Sequence, residues 1–174
     1  MQEIFQLKDG RQLVLRTIQE TDYKAVQVYL KQLAKETIFT NQYPNRPEKT
    51  QEEFNKMIQR SWFMMAMDGD QVAGFISTHI LHSDHPWTKH ICSFGCHMLK
   101  QYTHQGLGHK FMDLMEQWAK ENHIHRIEGS VREKNIPAIG LYLKHGFILE
   151  GLMRDKACIN GVWHNEYMIS KMVS

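Results

Sequence analysis

The stretch Leu99-Lys-Gln-Tyr-Thr-His-Gln-Gly-Leu-Gly-His-Lys-Phe-Met112 leads from the end of an apolar, strand-like segment through a short polar turn into a helix. Gly106 and Gly108 stand at the mouth of this helix, where backbone N–H groups are unpaired and the helix dipole is positive. A strand, a Gly-x-Gly turn and a helix together indicate a candidate phosphate or pyrophosphate site. Glycines that only form a tight turn would give the same local pattern. The helix is indicated by hydrophobic residues at helical spacing, namely Leu107, Phe111, Leu114, Met115 and Trp118.

The length and charge of the chain restrict its class. A chain of 174 residues is long enough for a substantial core, so we expect a single domain over residues 1–174. The 21 Lys and Arg residues nearly balance the 19 Asp and Glu residues, and this balance argues against a nucleic-acid partner. No apolar run is long enough to span a bilayer and no secretory signal is recognisable. We therefore expect no membrane partner and a soluble, cytoplasmic protein.

Three cysteines, Cys92, Cys96 and Cys158, do not form the even-numbered framework of a disulfide-stapled fold. Cys92 and Cys96 lie in a segment that alternates like a strand, and four zinc ligands at the usual spacings are not evident. We therefore expect no metal site, and a reducing, intracellular setting.

The order of the predicted elements indicates a mixed α/β sheet. Asp9-Gly10 and Asn160-Gly161 lie between alternating segments and predict tight hairpins. The capping box Thr50–Glu53 opens one helix, and Asn135 and Gly146 mark the ends of another. The full order is strand, two helices, three strands, helix, strand, helix and two strands. The strand–helix–strand unit around the opening stretch predicts one parallel pair of strands.

Two blocks of the sequence resemble the GNAT acetyltransferase superfamily. The cofactor motif of that family reads Arg/Gln-x-x-Gly-x-Gly/Ala between its fourth strand and third helix, and Thr103–Gly108 matches both glycine positions. Thr103 departs from the pattern, because Arg or Gln is usual there. The second block reads Asn-x-x-Ala-x-x-Leu-Tyr-x-x-x-Gly-Phe, and it is matched at full spacing by Asn135, Ala138, Leu141, Tyr142, Gly146 and Phe147.

The resemblance implies a GNAT-like α/β fold with a mixed, mostly antiparallel central sheet of about seven strands, one parallel pair and about four flanking helices. It also implies an acetyl-CoA-dependent N-acetyltransferase that moves an acetyl group to a primary amine by direct attack in a ternary complex. The segments Glu150–Arg154 and Asn160–Trp163 resemble more particularly the branch of protein N-terminal and ribosomal-protein acetyltransferases. Asn165 departs from that branch, which usually has an Asp just after the turn aromatic.

The same resemblance implies where acetyl-CoA, the co-substrate, binds. Backbone N–H groups of the opening stretch would hold the pyrophosphate, and the end of the preceding strand would pair with the pantetheine arm. A gap beside that strand would admit the thioester. For Asn135, a role as the N-cap of its helix is equally compatible with the pattern. The expected cofactor-binding residues are Met98, Leu99, His104, Gln105, Gly106, Leu107, Gly108, Asn135 and Tyr142.

Two residues are expected to be catalytic. Tyr142, a phenol with an ordinary pKa of about 10, is the candidate general acid that protonates the leaving thiolate. Many family members use a Glu on the fourth strand as general base, whereas Ser93 occupies the matching position here. His97 on the same strand is the candidate base, because histidine titrates near neutral pH; Glu128 and Glu150 are further candidates. The alternative for each is a structural role, as a core tyrosine, a hydrogen-bonded strand histidine or a surface carboxylate.

Three functions remain compatible with the sequence. The alternatives to an acetyltransferase are a non-catalytic acyl-CoA-binding or sensor domain, which Ser93 and Thr103 leave open, and a nucleotide-binding regulator that uses the Gly-x-Gly turn. The acceptor, an amine of a small molecule or of a peptide N-terminus, is not identified. We expect its specificity to reside in the irregular stretch Thr37–Pro47 and the polar loop His82–Lys89. A monomer and a homodimer are both compatible with the pattern.

Overall fold

The computed structural model describes residues 2–81 and 84–173, so His82 and Ser83 of the predicted specificity loop lie outside the described residues. Within these residues the helices are α1 (Tyr23–Glu36), α2 (Gln51–Arg60), α3 (Leu107–Glu121) and α4 (Ile136–Lys144). The strands of the same residues are β1 (Gln2–Gln6), β2 (Gln12–Thr17), β3 (Trp62–Asp68), β4 (Gln71–Ile80), β5 (Ile91–Met98), β6 (Arg126–Arg132), β7 (Ile148–Ile159) and β8 (Val162–Met172).

The strands form one mixed sheet in the order β1-β2-β3-β4-β5-β6-β8-β7. β5 and β6 are parallel, whereas β1–β2, β2–β3, β3–β4, β6–β8 and β7–β8 are antiparallel. The predicted fold class, a mostly antiparallel sheet with one parallel pair and four helices, is therefore confirmed for the described residues. These residues form eight strands rather than about seven, because both arms of the first hairpin, β1 and β2, are strands of the sheet.

The chain divides into two compact units. The first comprises Met1–His79 and Gly95–Phe111, and the second comprises Ile80–Phe94 and Met112–Ser174. In the first unit, Val26, Tyr29 and Leu33 of α1 are buried at helical spacing, as an amphipathic helix requires. No helix of the described residues is long and apolar enough to span a bilayer.

The helices of the first unit begin at side-chain contacts that the sequence encodes locally. The Arg16 guanidinium donates to both carboxylate oxygens of Asp22 at 2.7 Å, which connects β2 to the residue before α1. The predicted capping box of α2 is present: Glu53 N–H donates to Thr50 Oγ1 at 3.2 Å, and Thr50 N–H donates to Glu53 Oε2 at 2.7 Å.

In the second unit, tight turns close α4 and the last hairpin where the sequence predicts them. Gly146 follows α4 with φ of +80°, the left-handed conformation that ends many helices. Asn160 and Gly161 have φ of +52° and +77°, as the two central residues of a type I′ hairpin turn require. β7 is therefore paired with β8, and it forms the outer edge of the sheet order.

Candidate functional site

The segment between β5 and α3 contains two residues in left-handed conformations. His104 has φ of +61° and Gly106 has φ of +92°. Turns that alternate such residues with right-handed ones point successive N–H groups to one side and form anion-binding concavities. The first backbone bond of α3 runs from Lys110 N–H to the Gly106 carbonyl at 3.2 Å. The N–H groups of Leu107 and Gly108 precede that bond, so they have no acceptor inside the helix.

Thr103 stands where the family motif has Arg or Gln, and its side chain is used locally. The Thr103 hydroxyl donates to the Lys100 carbonyl at 2.7 Å, and the Thr103 N–H donates to the same carbonyl at 3.1 Å. Both bonds close the 3-10 turn Lys100–Tyr102, which leads the chain from β5 into the loop. Thr103 therefore shapes the entry to the loop through the backbone of its own turn.

The hairpin turn between β1 and β2 forms hydrogen bonds with the segment between β5 and α3. Asp9 N–H donates to the side-chain oxygen of Gln105 at 3.1 Å, and Lys8 N–H lies 3.4 Å from the Gln105 carbonyl. Arg11 donates to the Gln101 carbonyl at 3.0 Å. Gln105 was expected to bind the cofactor. Because its side-chain oxygen and its carbonyl both accept from the hairpin, only its N–H group and amide nitrogen are available for a ligand.

The end of β5 is pressed against β4 through a glycine. A Cβ atom at Gly74 would lie 2.7 Å from both the His97 carbonyl oxygen and Met98 Cβ, which is closer than real contacts allow. Leu99 N–H donates to the Ala73 carbonyl at 2.9 Å. Met98 is half-buried and Leu99 is fully buried. Gly74 was not singled out in the sequence, because its requirement comes from a strand that follows 20 or so residues later and not from a local turn.

His97 lies in an aromatic cluster of the first unit. Its ring packs edge-on against Phe75, with ring centres 4.3 Å apart, and is stacked on Tyr29 with ring centres 5.8 Å apart. Tyr29 Oη lies 2.8 Å from His97 Nδ1 and 3.1 Å from the His97 carbonyl oxygen. Burial lowers the pKa of His97 to about 4, so the ring is neutral at physiological pH. Tyr29 is a site residue that sequence reasoning missed, because its apolar helical spacing indicates only a core position.

The parallel pairing of β5 with β6 is short. The register joins Ile91–Ser93 with Arg126–Glu128, whereas β5 continues to Met98 and β6 to Arg132. Just beyond the last pair, a Cβ at Gly129 would lie 2.9 Å from the Phe94 ring, so this aromatic side chain covers the glycine. The described pairs therefore end at Ser93 and Glu128.

Asn135 and Tyr142 lie on α4 in the second unit. Asn135 Oδ1 accepts a bond from Ala138 N–H at 3.4 Å, so the N-cap role is realised. Tyr142 is 8% exposed. Its ring lies edge-on to Phe94, with centres 5.4 Å apart, and close to Phe147, with centres 5.8 Å apart. The core packing expected as the alternative for Tyr142 is thus present, and a catalytic role would have to be performed from this packed position.

The two further candidates for the base are held by one arginine. Arg126 donates to Glu128 Oε2 at 2.9 Å and to Glu150 Oε1 at 2.8 Å, and the Ser170 hydroxyl donates to Glu150 Oε1 at 2.6 Å. The bonds from Arg126 and Ser170 lower the pKa of Glu150 to about 2, which makes it a weak base. Glu128 and Glu150 therefore both accept hydrogen bonds from Arg126.

At Asn165 the sequence departs from the pattern of the ribosomal-protein branch, and two hydrogen bonds of this side chain explain why an amide is present. Its amide nitrogen donates to Glu133 Oε2 at 2.9 Å, and its oxygen accepts from Asp155 N–H at 2.9 Å. An aspartate cannot donate to Glu133, so an amide satisfies both neighbours and a carboxylate does not.

The structure brings most of the predicted cofactor-binding residues, together with His97, into the first unit, whereas Asn135 and Tyr142 belong to the second. Those of the first unit follow one another along the chain, from the end of β5 to the first turn of α3. Among the described residues no group of three or more His, Cys, Asp or Glu side chains is arranged to hold a metal ion.

Comparisons with known proteins identify relatives of this chain. A relative in Escherichia coli (strain K12), the L-amino acid N-acetyltransferase AaaT, is 27% identical over 110 residues. The match covers 61% of this chain and 64% of that protein, which is less than two thirds of the relative's length.

Two solved structures share the fold. An acetyltransferase of the GNAT family from Streptococcus pneumoniae has a TM-score of 0.85 at 23% identity, covering 93% of this chain and 99% of that chain. A GNAT superfamily phosphinothricin acetyltransferase from Sinorhizobium meliloti, solved in complex with acetyl-CoA, has a TM-score of 0.79 at 12% identity, covering 93% and 89%. The family model described as the acetyltransferase (GNAT) family matches residues 27–147, which is more than half of the chain. The protein therefore belongs to the acetyltransferase (GNAT) family.

Proposed function

We propose that this protein is an acetyl-CoA-dependent N-acetyltransferase, which moves an acetyl group to a primary amine by direct attack in a ternary complex. The observation that carries the proposal is the loop that opens α3, with His104 and Gly106 in left-handed conformations. Such a loop at a helix N-terminus presents N–H groups to a pyrophosphate. The proposed domain is the whole of residues 1–174.

The residues of the first unit fit acetyl-CoA on the chemistry of their backbone. The N–H groups from His104 to Gly108 would hold the pyrophosphate, and the half-buried Met98 at the end of β5, with the buried Leu99 after it, would pair with the pantetheine amides. Gly106 suits the first task because a side chain at φ of +92° is strained. Asn135 would contribute its side-chain amide nitrogen, since its oxygen caps α4.

Tyr142 and His97 are the proposed acid and base. When bound, acetyl-CoA supplies the thioester carbonyl that the amine attacks. The Tyr142 hydroxyl would protonate the departing thiolate, since a phenol is acidic enough to do so. His97 would accept the proton that the amine loses; burial keeps the ring unprotonated at neutral pH, and the lowered pKa of about 4 also makes it a weaker base than an ordinary histidine. Holding the two reactants together supplies a further several kcal/mol.

The acceptor is proposed to be a small-molecule amine, such as that of an amino acid, or the N-terminus of a peptide or protein. The name of the Escherichia coli relative supports the first class, and the resemblance of the closing hairpin to the ribosomal-protein branch supports the second. We propose that the protein acts in the cytoplasm as a monomer or homodimer. Its three cysteines, Cys92, Cys96 and Cys158, are free thiols, as a reducing compartment maintains them.

A thiol-release assay with acetyl-CoA tests the proposal. The amines would be the twenty L-amino acids and a set of short peptides with free N-termini, and release in their absence gives the hydrolysis background. We expect at least one amine to give turnover well above hydrolysis. Tight binding of acetyl-CoA with no amine above background would overturn the enzyme and support a sensor domain. Thermal stabilisation by ATP or NAD, with none by coenzyme A, would instead support a nucleotide-binding regulator.

A further inference from the structure

Tyr29 is a buried polar residue to which the proposed mechanism assigns no role. It lies on α1, is 2% exposed, and reaches His97 on β5, which is 68 residues away in the chain. Its ring contacts are with Phe75 and with His97 itself. Burial of a hydroxyl costs free energy unless the hydroxyl forms hydrogen bonds. Both hydrogen-bond contacts of the Tyr29 hydroxyl are to His97.

The two contacts of the Tyr29 hydroxyl determine where the imidazole carries its proton. The hydroxyl has one hydrogen, and it lies 2.8 Å from Nδ1 and 3.1 Å from the carbonyl oxygen of His97. The carbonyl oxygen can only accept, so the hydroxyl donates to it. Nδ1 must then carry a hydrogen and donate to Oη. If the hydroxyl donated to Nδ1 instead, two oxygen atoms would face each other without a proton between them.

Both partners keep the protonation that this arrangement needs. Burial holds the pKa of the Tyr29 phenol well above its ordinary value, so the hydroxyl keeps its hydrogen. Burial also holds the His97 ring neutral, as described above. A neutral ring has one N–H group, and with that hydrogen on Nδ1 the lone pair is on Nε2.

Nε2 is the ring atom of His97 that remains for a substrate. Among the described residues it forms no hydrogen bond, since the side-chain bond of His97 runs through Nδ1. In the described residues, three side-chain oxygen atoms are fully buried without a hydrogen-bond partner, namely Glu3 Oε1, Thr78 Oγ1 and Thr88 Oγ1. His97 Nε2 does not belong to this set. The His97 residue is half-buried, and Nε2 lacks a bond without being one of those fully buried atoms, so it keeps some accessible surface.

We propose that Tyr29 is a positioning residue that holds the His97 imidazole in the tautomer protonated at Nδ1, and so presents the Nε2 lone pair to the acceptor amine. The inference rests on the proposed function, which assigns the base role to His97. During transfer the C–N bond forms and the C–S bond breaks, and the proton lost by the attacking nitrogen moves to Nε2. The Nδ1–H bond to Tyr29 is the same before and after, so no hydrogen has to move within the pair.

Nitrogen-15 NMR of the histidine rings tests this directly, because the chemical shift of a ring nitrogen depends on whether that nitrogen carries a hydrogen. His97→Gln identifies the signals of His97 by their disappearance. We expect wild-type His97 to carry its hydrogen on Nδ1 at pH 7. In Tyr29→Phe, which keeps the ring and removes only the hydroxyl, we expect the tautomer protonated at Nε2 to become populated.

Phe75→Leu is the matched control. It removes a ring that packs on both His97 and Tyr29 but leaves the hydroxyl and Nδ1 themselves in place, so we expect it to keep the wild-type tautomer. In the thiol-release assay, with acetyl-CoA and the amine that gives the highest turnover, His97→Gln should lower kcat by about 100-fold or more. Tyr29→Phe should lower kcat by about 10-fold with an unchanged KM for acetyl-CoA, and Phe75→Leu by less.

Failure of this inference differs from failure of the proposed function. A wild-type ring protonated at Nε2 would overturn the positioning role, whatever the activity. An unchanged kcat in Tyr29→Phe, with the tautomer altered, would do so too. Absence of acetyl transfer by the wild-type protein would overturn the proposed function and with it the presentation of Nε2 to an amine, whereas the NMR result, which does not depend on turnover, would still decide whether Tyr29 sets the tautomer.

Discussion

Substitution of Gly74 by alanine should displace the end of β5, where the pantetheine arm is proposed to bind. The added Cβ would lie 2.7 Å from the His97 carbonyl oxygen and from Met98 Cβ, and 2.9 Å from Met98 Cα. Two of these three atoms belong to the backbone, so they cannot move aside by a side-chain rotation. Ordinary contact begins at 3.4 Å, so β5 must retreat by about 0.7 Å from β4.

The magnitude follows from overpacking of a well-packed interior. Such insertions cost about 1–3 kcal/mol, which for a chain of this size lowers Tm by about 2–12 °C. The same shift moves the backbone of His97 and Met98 away from the position in which it is proposed to pair with pantetheine. A misplacement of that order at a binding site can reduce function by about 100-fold, so we expect Kd for acetyl-CoA to rise by about 10-fold or more.

Thermal unfolding and calorimetric titration with acetyl-CoA check both parts. Gly95→Ala on β5 is the control for stability, because its nearest contact would be Ser77 Oγ at an ordinary 3.7 Å. We expect its Tm to stay within about 2 °C of wild type. If Gly74→Ala kept the wild-type Tm and the wild-type Kd, the close approach of β4 and β5 would not position the cofactor strand.

Three further outcomes test the site. Tyr142→Phe should lower kcat in the thiol-release assay with little change in Kd for acetyl-CoA, and an unchanged kcat would remove Tyr142 from the acid role. The folded-state pKa of His97, about 4, lies below its usual 6.5, so its contribution to stability is present above pH 6.5 and lost as the pH falls towards 4. Between pH 7 and pH 5 wild type should therefore lose about 2 kcal/mol more unfolding free energy than His97→Gln, measured by urea unfolding, and equal losses would contradict the burial of His97. Asn165→Asp should cost about 1–3 kcal/mol in the same measurement at pH 7, because it places a second carboxylate against Glu133, and wild-type stability would show that the amide bond is unimportant.

Features that depend on a few neighbouring residues agree with the sequence-based predictions. The capping box at Thr50, the N-cap at Asn135 and the turn at Asn160 and Gly161 each follow from local backbone chemistry. The parallel pair also follows, because a strand, a helix and a strand in sequence require a crossover.

Features that depend on distant contacts could not be predicted from the sequence. Tyr29 has the spacing of any core residue on a helix, and only the fold brings its hydroxyl to His97. Gln105 stands inside the cofactor motif, yet its side-chain oxygen accepts from Asp9, 96 residues earlier. The proton-transfer roles of Tyr142 and His97 stay predictions, because packing alone does not show which group moves a proton.

The most direct test compares acetyl-CoA with acetyl-pantetheine, which lacks the pyrophosphate and the phosphorylated adenosine beyond it, by calorimetric titration of the same protein, and a variant of the pyrophosphate site separates the two contributions. If the loop at the start of α3 holds the pyrophosphate, a few charge-assisted hydrogen bonds make acetyl-CoA bind about 100-fold more tightly. Gly108→Val, which places a branched side chain in the first turn of α3, should remove that difference. Gly140→Ala on α4, where nothing lies within 4 Å of the added Cβ, should keep it. Equal affinities of wild type for the two compounds, or an unchanged preference in Gly108→Val, would contradict the pyrophosphate site.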